Sequence, residues 1–165
     1  MPTRDDDRPL ETGAREDVGA THLALVVSEA RRSIAFYERY AHMRLVHERV
    51  DSKGGRVVWL SDLTRPFVLV LIEGHVDARL GGFCHLGVGC ASRDEVDRRC
   101  ALGREEGVLT LGPVDGGDPV GYWAFLRDPD GHNLEISFGQ QVGLTVARVK
   151  NGAGLDSSTF PVGKS

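Results

Sequence analysis

The sequence lacks several features that mark specialised classes of protein. None of its apolar runs approaches the roughly 18 residues that a membrane span needs, and its first residues contain no apolar segment of a secretory signal. Its three cysteines are odd in number and show no CxxC spacing, which favours free thiols in a reducing cytoplasm. We therefore expect a cytoplasmic protein, and neither a membrane protein nor a disulfide framework.

A surplus of basic residues is also missing. The net charge is -4, whereas proteins that bind nucleic acid usually carry a basic face. No Ser-His-Asp pattern, phosphate-binding glycine loop or nucleotide fingerprint is present. Hydrophobic residues make up 41% and charged residues 27%, as in ordinary globular proteins. We expect no nucleic-acid partner and one globular domain.

The two ends differ from the middle of the chain. Residues 1–18 are acidic and contain almost nothing apolar to bury, which predicts a disordered tail. Residues 19–140 carry the apolar segments of a single domain. Residues 141–165 are rich in glycine and serine and predict a partly flexible extension, in which Leu144–Val149 could form a short edge strand.

An internal repeat organises the domain. Residues 19–75 and residues 82–140 each read as a strand, a helix and three further strands. Ser28 is placed to cap the first helix, and Ser92 with Glu95 forms a capping box for the second. The pattern predicts an α+β fold of two βαβββ modules, whose mixed sheets pair into one cupped surface.

Each module opens with a strand histidine and closes with a strand glutamate. Glu73 follows His22 by 51 positions, and Glu135 follows His85 by 50. Two imidazoles and two carboxylates suit Ni, Zn, Co, Mn or Fe, and suit Ca poorly. We therefore predict one divalent metal ion, with open positions that admit water and substrate.

The predicted strand faces leave room for such a site. By alternation His22 shares its face with Ala24, and His85 shares its face with Gly87. These small residues leave volume that a packed core would fill. Glu73 ends an apolar face, and a buried carboxylate there needs a hydrogen-bond partner or a metal.

These segments together resemble the vicinal oxygen chelate superfamily, which includes glyoxalase I, extradiol dioxygenases and bleomycin resistance proteins. The resemblance rests on THLALVV, SIAFYERY, LVLIE, CHLGVG and FLRDPDGHNLEIS. It implies that His22, Glu73, His85 and Glu135 bind the metal, as in glyoxalase I. It also implies that Glu73 and Glu135 are catalytic and carry protons between adjacent carbons.

The resemblance implies a homodimer, and a metal-dependent glyoxalase-like lyase or isomerase acting on a small oxygenated substrate. Sites in the family often combine ligands from two subunits. Val26 stands where glutathione-using relatives carry an arginine, which argues against glutathione. Two alternatives stay open. One is an Fe(II) extradiol dioxygenase, with Glu73 outside the metal sphere, and the other is a non-catalytic small-molecule binding protein.

Overall fold

The structure is a computed structural model that describes residues 19–152. Its elements follow the predicted order, with one additional helix after the last strand. They are β1 His22–Val27, α1 Ala30–Ala41, β2 Arg44–Val50, β3 Arg56–Ser61, β4 Val68–Glu73, β5 Leu86–Gly89, α2 Arg93–Glu105, β6 Leu109–Asp115, β7 Tyr122–Arg127, β8 Asn133–Phe138 and α3 Val142–Lys150.

The strands form two four-stranded sheets with the same topology. The first has the order β1-β4-β3-β2 and the second β5-β8-β7-β6. In each sheet the first strand of the module pairs in parallel with the last, and the remaining pairs are antiparallel. The prediction of an α+β fold made of two βαβββ modules is confirmed. Each module contributes one of the two four-stranded mixed sheets.

One hydrophobic core joins the two modules through their helices. Strand residues such as Leu25 and Leu71 of the first sheet, and Leu134 and Ile136 of the second, belong to one buried cluster. These side chains lie on the faces that α1 and α2 cover. The opposite face of each sheet is consequently left for other contacts.

Buried polar contacts fix the two modules against each other. The Tyr37 hydroxyl donates to Oδ2 of Asp128 at 3.1 Å, and both burial and that carboxylate raise the pKa of Tyr37. His132, which is 1% exposed, accepts at Nδ1 from the Leu80 amide and contacts the Val26 carbonyl through Nε2. A neutral imidazole satisfies both bonds, because one nitrogen donates and the other accepts.

The two main helices begin differently. Ser92 accepts from the Glu95 amide at 3.1 Å, which confirms the predicted cap of α2. The predicted cap of α1 by Ser28 is wrong, since Glu29 is the N-cap residue of α1 and makes no side-chain capping bond. The Ala30 amide instead donates to Oε2 of Glu73 at 2.9 Å, so a residue from β4 caps α1.

The segment after β8 is helical. α3 occupies Val142–Lys150, so the edge strand predicted for Leu144–Val149 is wrong. Within the described residues this segment joins neither sheet, and it forms local helical bonds such as that from the Thr145 amide to the Gln141 carbonyl. No helix among residues 19–152 is long and apolar enough to cross a membrane. The tail predicted for 1–18, and the extension beyond residue 152, lie outside the described residues.

Candidate metal centre

The second module brings its histidine and glutamate together. His85 lies just before β5, and Glu135 lies in β8 beside Gly87 in the parallel ladder. Nε2 of His85 is 3.3 Å from Oε2 of Glu135. Two ligand atoms bound about 2.1 Å from one metal ion, at octahedral or tetrahedral angles, lie about 3.0–3.4 Å apart. The observed spacing fits two ligands of a single ion.

The hydrogen bonding of His85 strengthens that fit. Nδ1 lies 2.6 Å from the carbonyl oxygen of Phe83, and a carbonyl only accepts, so Nδ1 carries a hydrogen. In the neutral ring Nε2 then presents a lone pair to the Glu135 carboxylate. Two acceptors at this distance repel unless a cation or a proton lies between them. The pair is therefore prepared for a positive charge.

Gln140 holds the other oxygen of Glu135. Its side-chain amide donates to Oε1 of Glu135 at 2.6 Å, while Oε2 faces His85. Orientation of this kind is common around metal ligands. The sequence analysis missed Gln140, because it lies beyond β8, and only its position two residues after the end of the strand marks it.

His22 lies on a different surface. It is exposed at the start of β1, and its Nδ1 is 3.0 Å from the Thr21 hydroxyl. Within residues 19–152, no group of three or more His, Cys, Asp or Glu side chains is close enough to hold a metal ion. The four predicted ligands therefore do not meet in one chain, and only His85 and Glu135 do.

The structure corrects the predicted pairing of His22 with Glu73. In the parallel ladder His22 lies opposite Val68, while Glu73 lies opposite Val27 at the other end of the strand pair. Val27 is fully buried beneath the helices, so Glu73 shares the helix-covered face, where it caps α1. Glu73 therefore lies five ladder positions away from His22 and on the opposite face of the sheet.

The register also identifies the true counterpart of Glu135. Gly87, two residues after His85, lies opposite Glu135, and Ala24, two residues after His22, lies opposite Val70. Val70 therefore occupies the repeat-equivalent position, 48 rather than 51 residues after His22. The first module supplies a histidine and no equivalent carboxylate.

The first sheet forms a cavity on the face that carries His22, here called the first open face. Its volume is about 770 Å³. Trp59 on this face is 41% exposed. The lining residues are Thr21, His22, Ala24, Arg49, Asp51, Val57, Trp59, Pro66, Val68, Val70 and Ile72.

The second open face is the surface around His85 and Glu135, and it is aromatic. Phe125 lies next to Glu135 in the ladder and its ring centroid is 4.9 Å from that of His85. Trp123 stacks at 5.0 Å from Phe125. Gly87 has no side chain, and a Cβ there would approach Oε1 of Glu135 to 3.9 Å. His85 and Glu135 thus have aromatic side chains on one side and the open space above Gly87 on the other.

Comparison with known proteins gives the same fold. The sequence model of the Glyoxalase/Bleomycin resistance protein/Dioxygenase superfamily matches residues 19–136. An uncharacterized protein from Pseudomonas aeruginosa is 37% identical over 127 residues, which cover 74% of this chain and 90% of the relative.

Two solved structures are similar in fold. The fosfomycin resistance protein FosX from Listeria monocytogenes, in complex with Mn(II) and 1S,2S-dihydroxypropylphosphonic acid, has a TM-score of 0.59 and 18% identity, covering 78% of this chain and 97% of its own. An antibiotic-binding protein from a Streptomyces species has a TM-score of 0.57 and 22% identity, covering 76% and 98%. At these identities the likeness concerns the fold.

Proposed function

Because the chain belongs to the Glyoxalase/Bleomycin resistance protein/Dioxygenase superfamily, we propose that it is the subunit of a homodimeric metal enzyme. His22 of one subunit, with His85 and Glu135 of the partner subunit, would bind one divalent ion. Glu73 is left outside this set, because its carboxylate caps α1. The ion would be Ni, Zn, Co, Mn or Fe, which accept mixed nitrogen and oxygen ligands.

The observation that carries the proposal is the His85–Glu135 pair. Its 3.3 Å separation, the hydrogen fixed on Nδ1 of His85 and the bond from Gln140 together orient two donors toward one point. A neutral ring with its hydrogen on Nδ1 leaves a lone pair on Nε2, whereas a protonated ring would donate to the Glu135 carboxylate instead. A metal ligand needs that tautomer.

Two features support a shared site. Among residues 19–152, His22 belongs to no group of three or more His, Cys, Asp or Glu side chains that could hold a metal ion, and the helix-side core separates the two open faces of one chain. Both faces also expose large apolar side chains, with Trp59 at 41% and Leu111 at 42%. A second subunit that covers these faces would bury them and complete the ligand set.

A bound divalent ion would supply a Lewis acid for a substrate that chelates through two oxygens. In the lyase or isomerase reaction, Glu135 is the remaining carboxylate that could carry a proton. Its Oε2 faces the site, and Oε1 is held by Gln140. The predicted second base, Glu73, is not available on this face.

An extradiol dioxygenase is the second candidate, and Val70 favours it. With an apolar residue at the position equivalent to Glu135, the ligand set is two histidines and one carboxylate. That set with open positions is typical of non-haem Fe(II) oxygenases. The aromatic wall of Trp123 and Phe125 would suit a planar aromatic substrate.

Elemental analysis of the protein purified without added metal tests the proposal. We expect about one ion per chain in the wild type and in His75→Ala, whose histidine is exposed in a loop beside Asp77. His85→Ala and His22→Ala should both lose it. Retention of metal in either of these two variants would contradict the proposed ligand set. Absence of metal from the wild type, even after reconstitution, would leave the binding-protein alternative.

The metal and a reaction assay then separate the two enzymes. Iron, with oxygen uptake on adding catechols, supports the dioxygenase. Nickel, zinc, cobalt or manganese, with exchange of a substrate C–H proton into deuterated water and no oxygen uptake, supports the lyase or isomerase. Size-exclusion chromatography with light scattering on the same samples tests the dimer, and a monomer that holds metal would contradict the shared site.

A further inference from the structure

We propose that the substrate is an elongated and mainly apolar molecule that carries an anionic group, and that Arg49 binds this group. The inference rests on the proposed function in taking His22 as the reacting end of the cavity. It extends that function by naming a substrate class. The cavity volume of about 770 Å³ lies within the range for ligand sites, roughly 300–1,000 Å³.

The floor of the cavity is apolar between its two ends. Ladder pairing places Ala24, Val70 and Trp59 in one row across the first open face. The next row holds Ile72 and Val57. On β1, β4 and β3 these two rows hold no charged side chain, so a polar substrate body would lose hydration there without gaining partners.

Arg49 lies at the far corner from His22. Arg49 in β2 pairs with Val57 in β3, and Val57 pairs with Ile72 in β4. Ile72 pairs with Val26 in β1, which lies four residues after His22. Strand geometry puts the two backbone positions about 13 Å apart along the strands and about 14 Å across them, or about 20 Å diagonally. A three-carbon substrate cannot reach both ends, whereas an elongated molecule can.

Among residues 19–152, Arg49 is the only lysine or arginine that lines this cavity. It forms no ion pair within 4.0 Å among the described residues. Its nearest charged neighbour in the lining, Asp51, is engaged by the following turn. Oδ1 of Asp51 accepts from the Lys53 and Gly55 amides at 2.8 and 2.9 Å, and these bonds lower the pKa of Asp51.

This geometry leaves the Arg49 guanidinium for a ligand. An anionic group would gain a charge-assisted bond, and a neutral one would not. Asp51 stays ionised at neutral pH and opposes the anion, so the contribution of Arg49 is partly offset. The apolar floor would provide affinity and Arg49 would provide selectivity.

Two probes of one skeleton test the proposal. 8-Anilinonaphthalene-1-sulfonate carries a sulfonate, and N-phenyl-1-naphthylamine has the same rings without it. We expect the wild-type dimer to bind the sulfonate about tenfold more tightly, measured by probe fluorescence and by quenching of tryptophan. Arg49→Leu should remove this preference and leave the affinity for the neutral probe unchanged.

Matched variants make the result specific. Arg44→Leu removes a cation from the same strand that does not line the cavity, and it should keep the tenfold preference. Asp51→Asn keeps the acceptor for the turn and removes the opposing charge, so it should raise the preference two- to threefold. Arg49→Lys retains a charge and, if Arg49→Leu fails to fold, should still show a reduced preference.

The test is independent of the metal. Wild-type protein stripped of metal with a chelator should still bind the sulfonate about tenfold more tightly than the neutral probe. Equal loss of both probes in Arg49→Leu, or an unchanged preference for the sulfonate, would overturn the proposal. The metal content of the same preparations would still test the proposed function on its own.

Discussion

The two modules share one topology and one ladder register but differ in chemistry at equivalent positions. In the second module β8 carries Glu135 opposite Gly87, whereas in the first module β4 carries Val70 opposite Ala24. The first module has a large apolar cavity and a single histidine, and the second has a prepared pair of donors. Under the proposed function, the first module would supply the substrate cavity and one metal ligand, and the second module would supply the other two ligands.

The strongest way to test this division is to remove the carboxylate of the second module. Glu135→Gln keeps the shape of the side chain but removes the charge that a divalent ion needs. We expect metal affinity to fall at least about 100-fold, since truncating a ligand or its supporting partner costs 10–100-fold or more. Titration calorimetry with the apo protein measures it.

Glu73→Gln is the matched control from the first module. Its carboxylate faces the helices, so metal affinity should stay within about twofold of the wild type. An equal loss of affinity in both variants would contradict the division between modules and restore Glu73 as a ligand.

Restoring symmetry should sharpen the comparison. Val70→Glu places a carboxylate at the position equivalent to Glu135, on the face that carries His22. We expect about tenfold tighter metal binding, because the added ligand fills an open coordination position. Val70→Gln has similar volume without the charge and should gain less. Unchanged affinity in Val70→Glu would mean that this face does not approach the metal.

Glu73 should matter for stability instead. Its Oε2 accepts from the Ala30 amide at the first turn of α1, which has no capping side chain of its own. Glu73→Ala should lower the free energy of unfolding by about 1–2 kcal/mol, as the loss of a cap does. Urea denaturation measures the change. Glu29→Ala, at the same helix start but without a capping bond, should change stability by less than about 0.5 kcal/mol.

The fold was predictable from the sequence because it depends on local signals. Apolar alternation, the capping box at Ser92 and the repeated order of elements determine both modules, and the structure confirms them. The α3 segment was the exception. Its β-branched residues favour a strand, but the segment pairs with neither sheet and forms local helical bonds instead.

The site was only partly predictable, and Glu73 explains why. The nearly equal spacings, 51 residues from His22 to Glu73 and 50 from His85 to Glu135, suggested that the two glutamates are equivalent. Spacing along the chain, however, counts loop residues as well as strand residues. The loops of the two modules differ in length, and the ladder aligns Glu135 with Val70. A shift of one residue in strand register turns a side chain to the other face of the sheet. Register depends on tertiary pairing, and it therefore decides which side chains can bind the metal.

The smallest expected effect is a difference in acid stability, and it arises from the different N-termini of α1 and α2. α1 is capped across the sheet by Glu73, whereas in α2 Glu95 accepts from the Ala91 amide at 2.6 Å and also contacts His42 and Arg99. The Ala91 bond, with smaller contributions from His42 and Arg99, lowers the pKa of Glu95 to about 2. A carboxyl whose folded pKa is depressed stabilises the fold above its unfolded pKa, about 4.5.

That stabilisation is fully present above about pH 4.5 and declines as the pH falls toward 2. Glu95→Gln should therefore be less stable than the wild type by about 1 kcal/mol at pH 6, and the two should converge near pH 2. Thermal unfolding of both proteins between pH 6 and pH 2 measures the difference, in which the other carboxylates cancel. A stability difference that stays constant from pH 6 to pH 2 would contradict this prediction. The effect of Glu95 on the start of α2 would then come from its neutral hydrogen bonds and not from its charge.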